Sequence, residues 1–207
     1  MSTRSAEHVL DSKRIEALSD GIFAFAMTLL VLSIDLPSGI PEASANQAIL
    51  QYLIDSLPQF INYITVFLVL GLFWYGHQRV FHFIKYVDTG FLWINILFLM
   101  FVALTPFTTN LAGDYGEYQM GVLPMEIHII ILSLILGYQW SYIRARPEML
   151  TQALNSLEIT RIKQRRNFQL TICFLAVFIS FFSPMWSTLP YILIFYLLLS
   201  RRYRIVK

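Results

Sequence analysis

Arg14, Ser19 and Asp20 stand at the mouth of an apolar helix, where side chains of these types could do chemistry. From Gly21 to Ile34 there is no charge, which with its flanks is about the length needed to cross a bilayer. A cation, a hydroxyl and a carboxylate at such a place are costly unless each has a partner. At about 100° per residue, Leu32 lies within roughly 20° of Phe25, and Leu18, Thr28, Leu29 and Leu36 lie within about 60° of the same direction. Ser19 and Asp20 point roughly 120–140° away. One face is therefore an apolar ladder broken by the single hydroxyl of Thr28. The other face holds the polar pair. Several copies of the helix could enclose a passage with the ladder and lock helix to helix with the pair; ordinary helix packing accounts for the same pattern.

Further along, Trp74 and His77 leave the second apolar segment at the level where Arg14, Ser19 and Asp20 enter the first. Arg14 and Asp20 face different ways on one straight helix, so a partner on another helix, such as His77, is expected for Asp20. Glu126 and His128 are the nearest candidates for proton-coupled chemistry, because the other acids fall near span ends. No His-Glu-x-x-His, Gly-x-Ser-x-Gly or paired metal-ligand spacing occurs. No enzyme and no cofactor are expected. The one cysteine, Cys173, lies in an apolar run and excludes an intrachain disulfide.

The elements that must position these residues follow from composition. Of 207 residues, 57% are hydrophobic and 14% charged, and mean hydropathy is +0.59. Soluble domains sit nearer half apolar and a quarter charged, so an all-α, polytopic membrane protein is expected. Residues 1–207 read as one domain with six spans, at about 17–36, 49–76, 90–111, 122–143, 168–183 and 186–200. Residues 1–13 read as a polar lead-in rather than a signal peptide. Pro58 is expected to kink the second span. The stretch 144–166 is read as an amphipathic helix through Leu150, Leu154, Leu157 and Ile162.

Charge sets the topology. With six spans, the N-terminus, the linkers at 77–88 and 144–167 and the C-terminus share one side, and they hold 3, 2, 6 and 4 Lys/Arg, all 15 in the chain. The opposite loops carry Asp35, Glu42, Asp114 and Glu117 instead. Both termini are therefore expected in the cytosol. The net charge of +2 is a topological signal and no footprint of a nucleic acid.

The run Arg14-x-x-x-Leu18-Ser19-Asp20-Gly21, leading into Ala24-x-Ala26-x-Thr28-Leu-Leu-Val-Leu32, resembles the opening of the transmembrane protein 175 family of endosomal/lysosomal and prokaryotic potassium-permeable channels. It departs at Leu18, where that family usually has phenylalanine, and at Phe25, where an aliphatic residue is usual. Trp74-x-x-His77-x-Arg79 is similar to the family's Trp-x-x-His-His-Arg, with Gln78 in place of the second histidine. Asn95 and Ala103-Leu-x-Pro106-Phe-x-Thr108 resemble its third helix.

The resemblance covers most of the chain and implies a prokaryotic-type, single six-helix repeat in the inner membrane. Four such chains would form a homotetrameric channel, passing K⁺ in preference to Na⁺ along helix 1. Phe25, Thr28 and Leu32 would form the constriction, with Thr28 the transient K⁺ ligand. Arg14, Ser19, Asp20, Trp74 and His77 would form an inter-helix polar network. No Thr-Val-Gly-Tyr-Gly filter is present, so a carbonyl ring has no basis in the sequence. The expected partners are K⁺ and other monovalent cations, further copies of the chain and the bilayer. The alternative is a proton-coupled or small-solute transporter using Glu126, His128 or Asp20.

Overall fold

A computed structural model describes residues 11–40, 42–152 and 155–193. Among the described residues there are six α-helices: α1 (Ser12–Leu29), α2 (Ala45–Asp55), α3 (Leu57–Phe83), α4 (Thr89–Asp114), α5 (Gln119–Arg144) and α6 (Ser156–Ser180). Among the described residues, α1 extended to Leu32, α3, α4 and α5 are long and apolar enough to cross a membrane. The chain is a multi-pass integral membrane protein. Its outward surface agrees, with Phe107 on α4 and Phe174 and Phe178 on α6 all exposed, a surface that suits lipid rather than water.

The antiparallel pair α4–α5 is the spine, with α1 packed on α4, α3 against α1, α4 and α5, and α6 on α5. Asp88 caps α4 by accepting from Phe91 N at 2.7 Å. The turn into α5 is tight enough that a Cβ at Gly121 would collide with the Tyr115 carbonyl. Pro106 lies inside α4, and nearby the Thr108 and Thr109 hydroxyls both donate to the Thr105 carbonyl, at 3.0 and 2.8 Å.

The linkers are pinned together at the basic end. Lys85 N donates to Met149 O at 2.7 Å and Thr151 N to Phe83 O at 2.9 Å. Tyr142 donates to Asp88, 3.0 Å from each oxygen, while Arg146 lies 3.7 Å over the Tyr142 ring and 3.6 Å from Asp88. The result is a fixed corner between α3–α4 and α5–α6.

Several expected boundaries move. The expected span 49–76 is divided at Ser56, and α3 then runs on through His77, Arg79 and His82 to Phe83. Pro58 sits at the start of α3, where a missing N–H costs nothing; it begins a helix rather than kinking one. The amphipathic helix expected over 144–166 starts only at Ser156, where Asn155 and Glu158 form a capping box. Leu150 pairs instead with Ile84 in an isolated bridge, and Leu154 lies outside the described residues. Residues 184–186 and 189–192 form short 3₁₀ turns, and most of the expected sixth span, 186–200, lies outside the described residues.

Candidate functional site

The first helix has two unlike faces. Ser19, Phe23, Ala26 and Leu30 are at most 1% exposed and recur at helical spacing toward α3 and α4. Opposite them, Leu18, Phe25 and Leu32 are 53%, 65% and 68% exposed, and Thr28 is exposed with them. Thr28 Oγ1 donates back to the Phe25 carbonyl at 2.8 Å. Its hydrogen is thereby used, and the oxygen keeps acceptor capacity. Beyond Leu29 the helix tightens to 3₁₀ over Leu30–Ser33. That turns Leu32 further around than an ideal α-helix would, so the ladder is slightly wound rather than straight.

The polar residues form two clusters. In the first, α1, α3 and α5 each send one side chain to Asn95 on α4. His77 Nε2 lies 2.7 Å from Asn95 Oδ1, Gln139 Nε2 donates to the same oxygen at 3.2 Å, and Asn95 Nδ2 donates to Ser19 Oγ at 3.2 Å. Ser19 in turn donates to the Ile15 carbonyl at 2.8 Å. With that oxygen accepting from Gln139, His77 donates through Nε2. Its Nδ1 is left without a hydrogen bond within the chain. All four side chains are at most 1% exposed, and the His77 ring stacks on Phe98 at 5.3 Å with 3° between planes.

The second cluster holds Asp20, which accepts from Trp74 Nε1 at 2.8 Å and from Gln78 Nε2. Trp74 and Gln78 are four apart on α3, so they share a face. Asp20's partners are thus Trp74 and Gln78 rather than His77. Arg14 is exposed and makes no hydrogen bond or ion pair among the described residues, so within one chain it joins neither cluster. Gln139 is the member that sequence reasoning missed. Its signal was an amide inside the apolar run of α5, where a polar side chain needs a partner.

A third group lies toward the other end of α5. Glu126 is fully buried and its carboxyl lies against the Ser180 and Ser187 hydroxyls, yet neither carboxyl oxygen has a well-aligned hydrogen bond. His128 Nε2 meets Thr105 Oγ1 at 3.3 Å. Among the described residues no group of His, Cys, Asp or Glu is arranged to hold a metal ion.

Fold and site together define a polytopic α-helical membrane protein whose first helix leaves an apolar face uncovered. Residues 14–106 match the family described as the endosomal/lysosomal potassium channel TMEM175. A potassium channel of Streptomyces collinus is 37% identical over 131 residues, which are 62% of this chain and 62% of that relative; the match thus spans less than two thirds of its length. The crystal structure of a lysosomal potassium-selective channel TMEM175 homolog from Chamaesiphon minutus superposes with a TM-score of 0.77 at 25% identity, covering 94% of this chain and 98% of that one. The endosomal/lysosomal proton channel TMEM175 of Gallus gallus is 23% identical over 83% of this chain and 34% of its own length. In its first half and in its fold the chain is thus similar to the TMEM175 proteins, a family of channels and not of enzymes.

Proposed function

We propose that the protein is a potassium-permeable channel, preferring K⁺ to Na⁺, in which four copies surround an axis lined by α1. The observation that carries this reading is the pair of opposed stripes on that helix. One is packed against α3 and α4, and the other, with Phe25, Thr28 and Leu32, is uncovered in the single chain. One chain has no wall for a pore, whereas several copies of the uncovered stripe enclose one. Potassium-channel relatives and the potassium-selective homolog support the choice of ion. The constriction is apolar and acts through its diameter and wettability, with the Thr28 oxygen as the one polar group on the ladder. Both termini face the cytosol on the distribution of Lys and Arg.

The test is flux from purified protein in liposomes carrying a K⁺ gradient, alongside native mass spectrometry in detergent. A K⁺ current from a four-copy assembly is expected. Absence of current, or a stable monomer or dimer, overturns the reading.

A second reading, proton movement, is favoured by one observation: Glu126 is a buried carboxyl with neither oxygen hydrogen-bonded. The Gallus gallus relative is named a proton channel. Current driven by a pH gradient with K⁺ equal on both sides, and lost in Glu126→Gln, would select it.

A further inference from the structure

Between α3, α5 and α6 a cleft of about 1190 Å³ opens at the basic end of the bundle. Its walls carry five cations, Arg79 on α3, Arg144 on α5, and Lys163, Arg165 and Arg166 on α6. Among the described lining residues there is no carboxylate. Leu72, Leu136 and Trp140 also line it, and they belong to the helices that are apolar enough to span a membrane. The cleft therefore joins a cationic rim to apolar surface, at the depth where α3 and α5 leave the membrane.

We propose that this cleft binds an anionic phospholipid of the leaflet at the basic end. The phosphate would sit among the Arg and Lys side chains, and an acyl chain would lie along Leu72, Leu136 and Trp140. The volume exceeds the few hundred to thousand Å³ of ordinary small-ligand pockets, so a free phosphate ion would leave most of it empty. Its apolar walls offer such an ion nothing. Clustered Lys and Arg beside a spanning helix are the recognised chemistry for anionic headgroups, each contributing roughly 1 kcal/mol at a membrane surface, or about fivefold in affinity.

The close fit of Arg166 argues that the site is built. A Cβ placed on Gly137 would lie 2.8 Å from Arg166 Cδ, so that arginine's stem lies directly against α5 and a side chain at 137 would have to displace it. Gly76 stands in the same relation to Leu136, whose Cδ2 would meet a Cβ at 2.9 Å. Both glycines line the cleft.

The test uses the full chain in detergent micelles and reads lipid binding, with no ion flux, so its failure is separable from failure of the channel reading. Native mass spectrometry would count retained phosphatidylglycerol against phosphatidylcholine. Quenching of Trp140 by chain-brominated phosphatidylglycerol would report the apolar part, with Trp140→Phe identifying its share of the signal. Preferential retention of phosphatidylglycerol is expected, falling on the order of fivefold per charge across Arg144→Gln, Lys163→Gln and Arg166→Gln. Gly137→Ala, which keeps every charge but displaces Arg166, is also expected to weaken retention. Equal retention of both lipids overturns the proposal. So does unchanged retention in the correctly folded charge variants and Gly137→Ala, or displacement by inorganic phosphate as effective as by lipid.

Discussion

Asn95 Oδ1 accepts from His77 at 2.7 Å and from Gln139 at 3.2 Å, so one amide on α4 joins α3 to α5. Its nitrogen reaches Ser19 on α1. Four helices are therefore held in register by a side chain with no exposure to water, where an unmatched polar group costs more than a made bond gains. Asn95→Ala leaves His77 and Gln139 without their acceptor and Ser19 without its donor. A loss of roughly 2–4 kcal/mol is expected. Gln139→Leu removes one donor and leaves the His77 bond in place, so about 1 kcal/mol is expected. Thermal unfolding of the two variants in detergent checks the order; equal effects would mean that Asn95 is not the hub.

Asp20 works differently because its partners are half exposed. Trp74, at 40% exposure, and Gln78 tie α1 to α3 at the polar end. Asp20→Ala is expected to cost about 1–2 kcal/mol of stability, less than a buried network. Asp20→Asn keeps an acceptor for Trp74 and should lie within about 0.5 kcal/mol of the parent. Arg14→Ala should likewise change the stability of a single chain by less than about 0.5 kcal/mol. If Arg14→Ala instead dissociates the assembly in native mass spectrometry, its partner belongs to a neighbouring copy.

The two-faced character of α1 was legible because the 100° turn separates Ser19 and Asp20 from Phe25 without any knowledge of the partners. The partners themselves were not. His77 and Gln78 are adjacent on α3, and nothing in their spacing says which of them turns to Asp20 and which to the interior. Gly76 and the basic residues after it read as an interface, yet α3 continues through them because Val80, Phe81 and Phe83 are buried. Pro58 was visible as a punctuation mark. Its reading as a kink failed because proline near a helix start and proline within a helix look alike in sequence. Gln139 stood in a run of apolar and aromatic residues, and only the fold brings Asn95 to it.

Glu126 makes a separate prediction. With neither oxygen hydrogen-bonded, the carboxyl contributes little to the packing of α5 on α6, and its replacement by an uncharged group of the same shape removes a costly burial. Glu126→Gln is therefore expected to unfold at the same temperature as the parent or higher. A variant destabilised by more than about 1 kcal/mol would show that the carboxyl has a partner in the assembled protein.

The ladder on α1 gives the most direct test of permeation. Phe25 and Thr28 are separated by about 4.5 Å along the axis, and Thr28 and Leu32 by about 7 Å once the 3₁₀ turn is included. In the proposed four-copy assembly the phenylalanine rings would be the bulkiest side chains on the ladder, so Phe25 is expected to set the narrowest point. Phe25→Ala should raise conductance and weaken discrimination between K⁺ and Na⁺, since an apolar ring acts as a barrier through its width. Thr28 is different in kind. Its hydroxyl hydrogen is held by the Phe25 carbonyl, which leaves the oxygen to replace a water lost by a passing ion. Thr28→Val keeps the shape and removes that oxygen, and should lower K⁺ preference while costing no more than about 1 kcal/mol of stability. Reversal potentials under opposed K⁺ and Na⁺ gradients decide between the roles. If both variants reverse where the parent does, α1 does not carry the selectivity, and its uncovered face meets lipid or another helix instead.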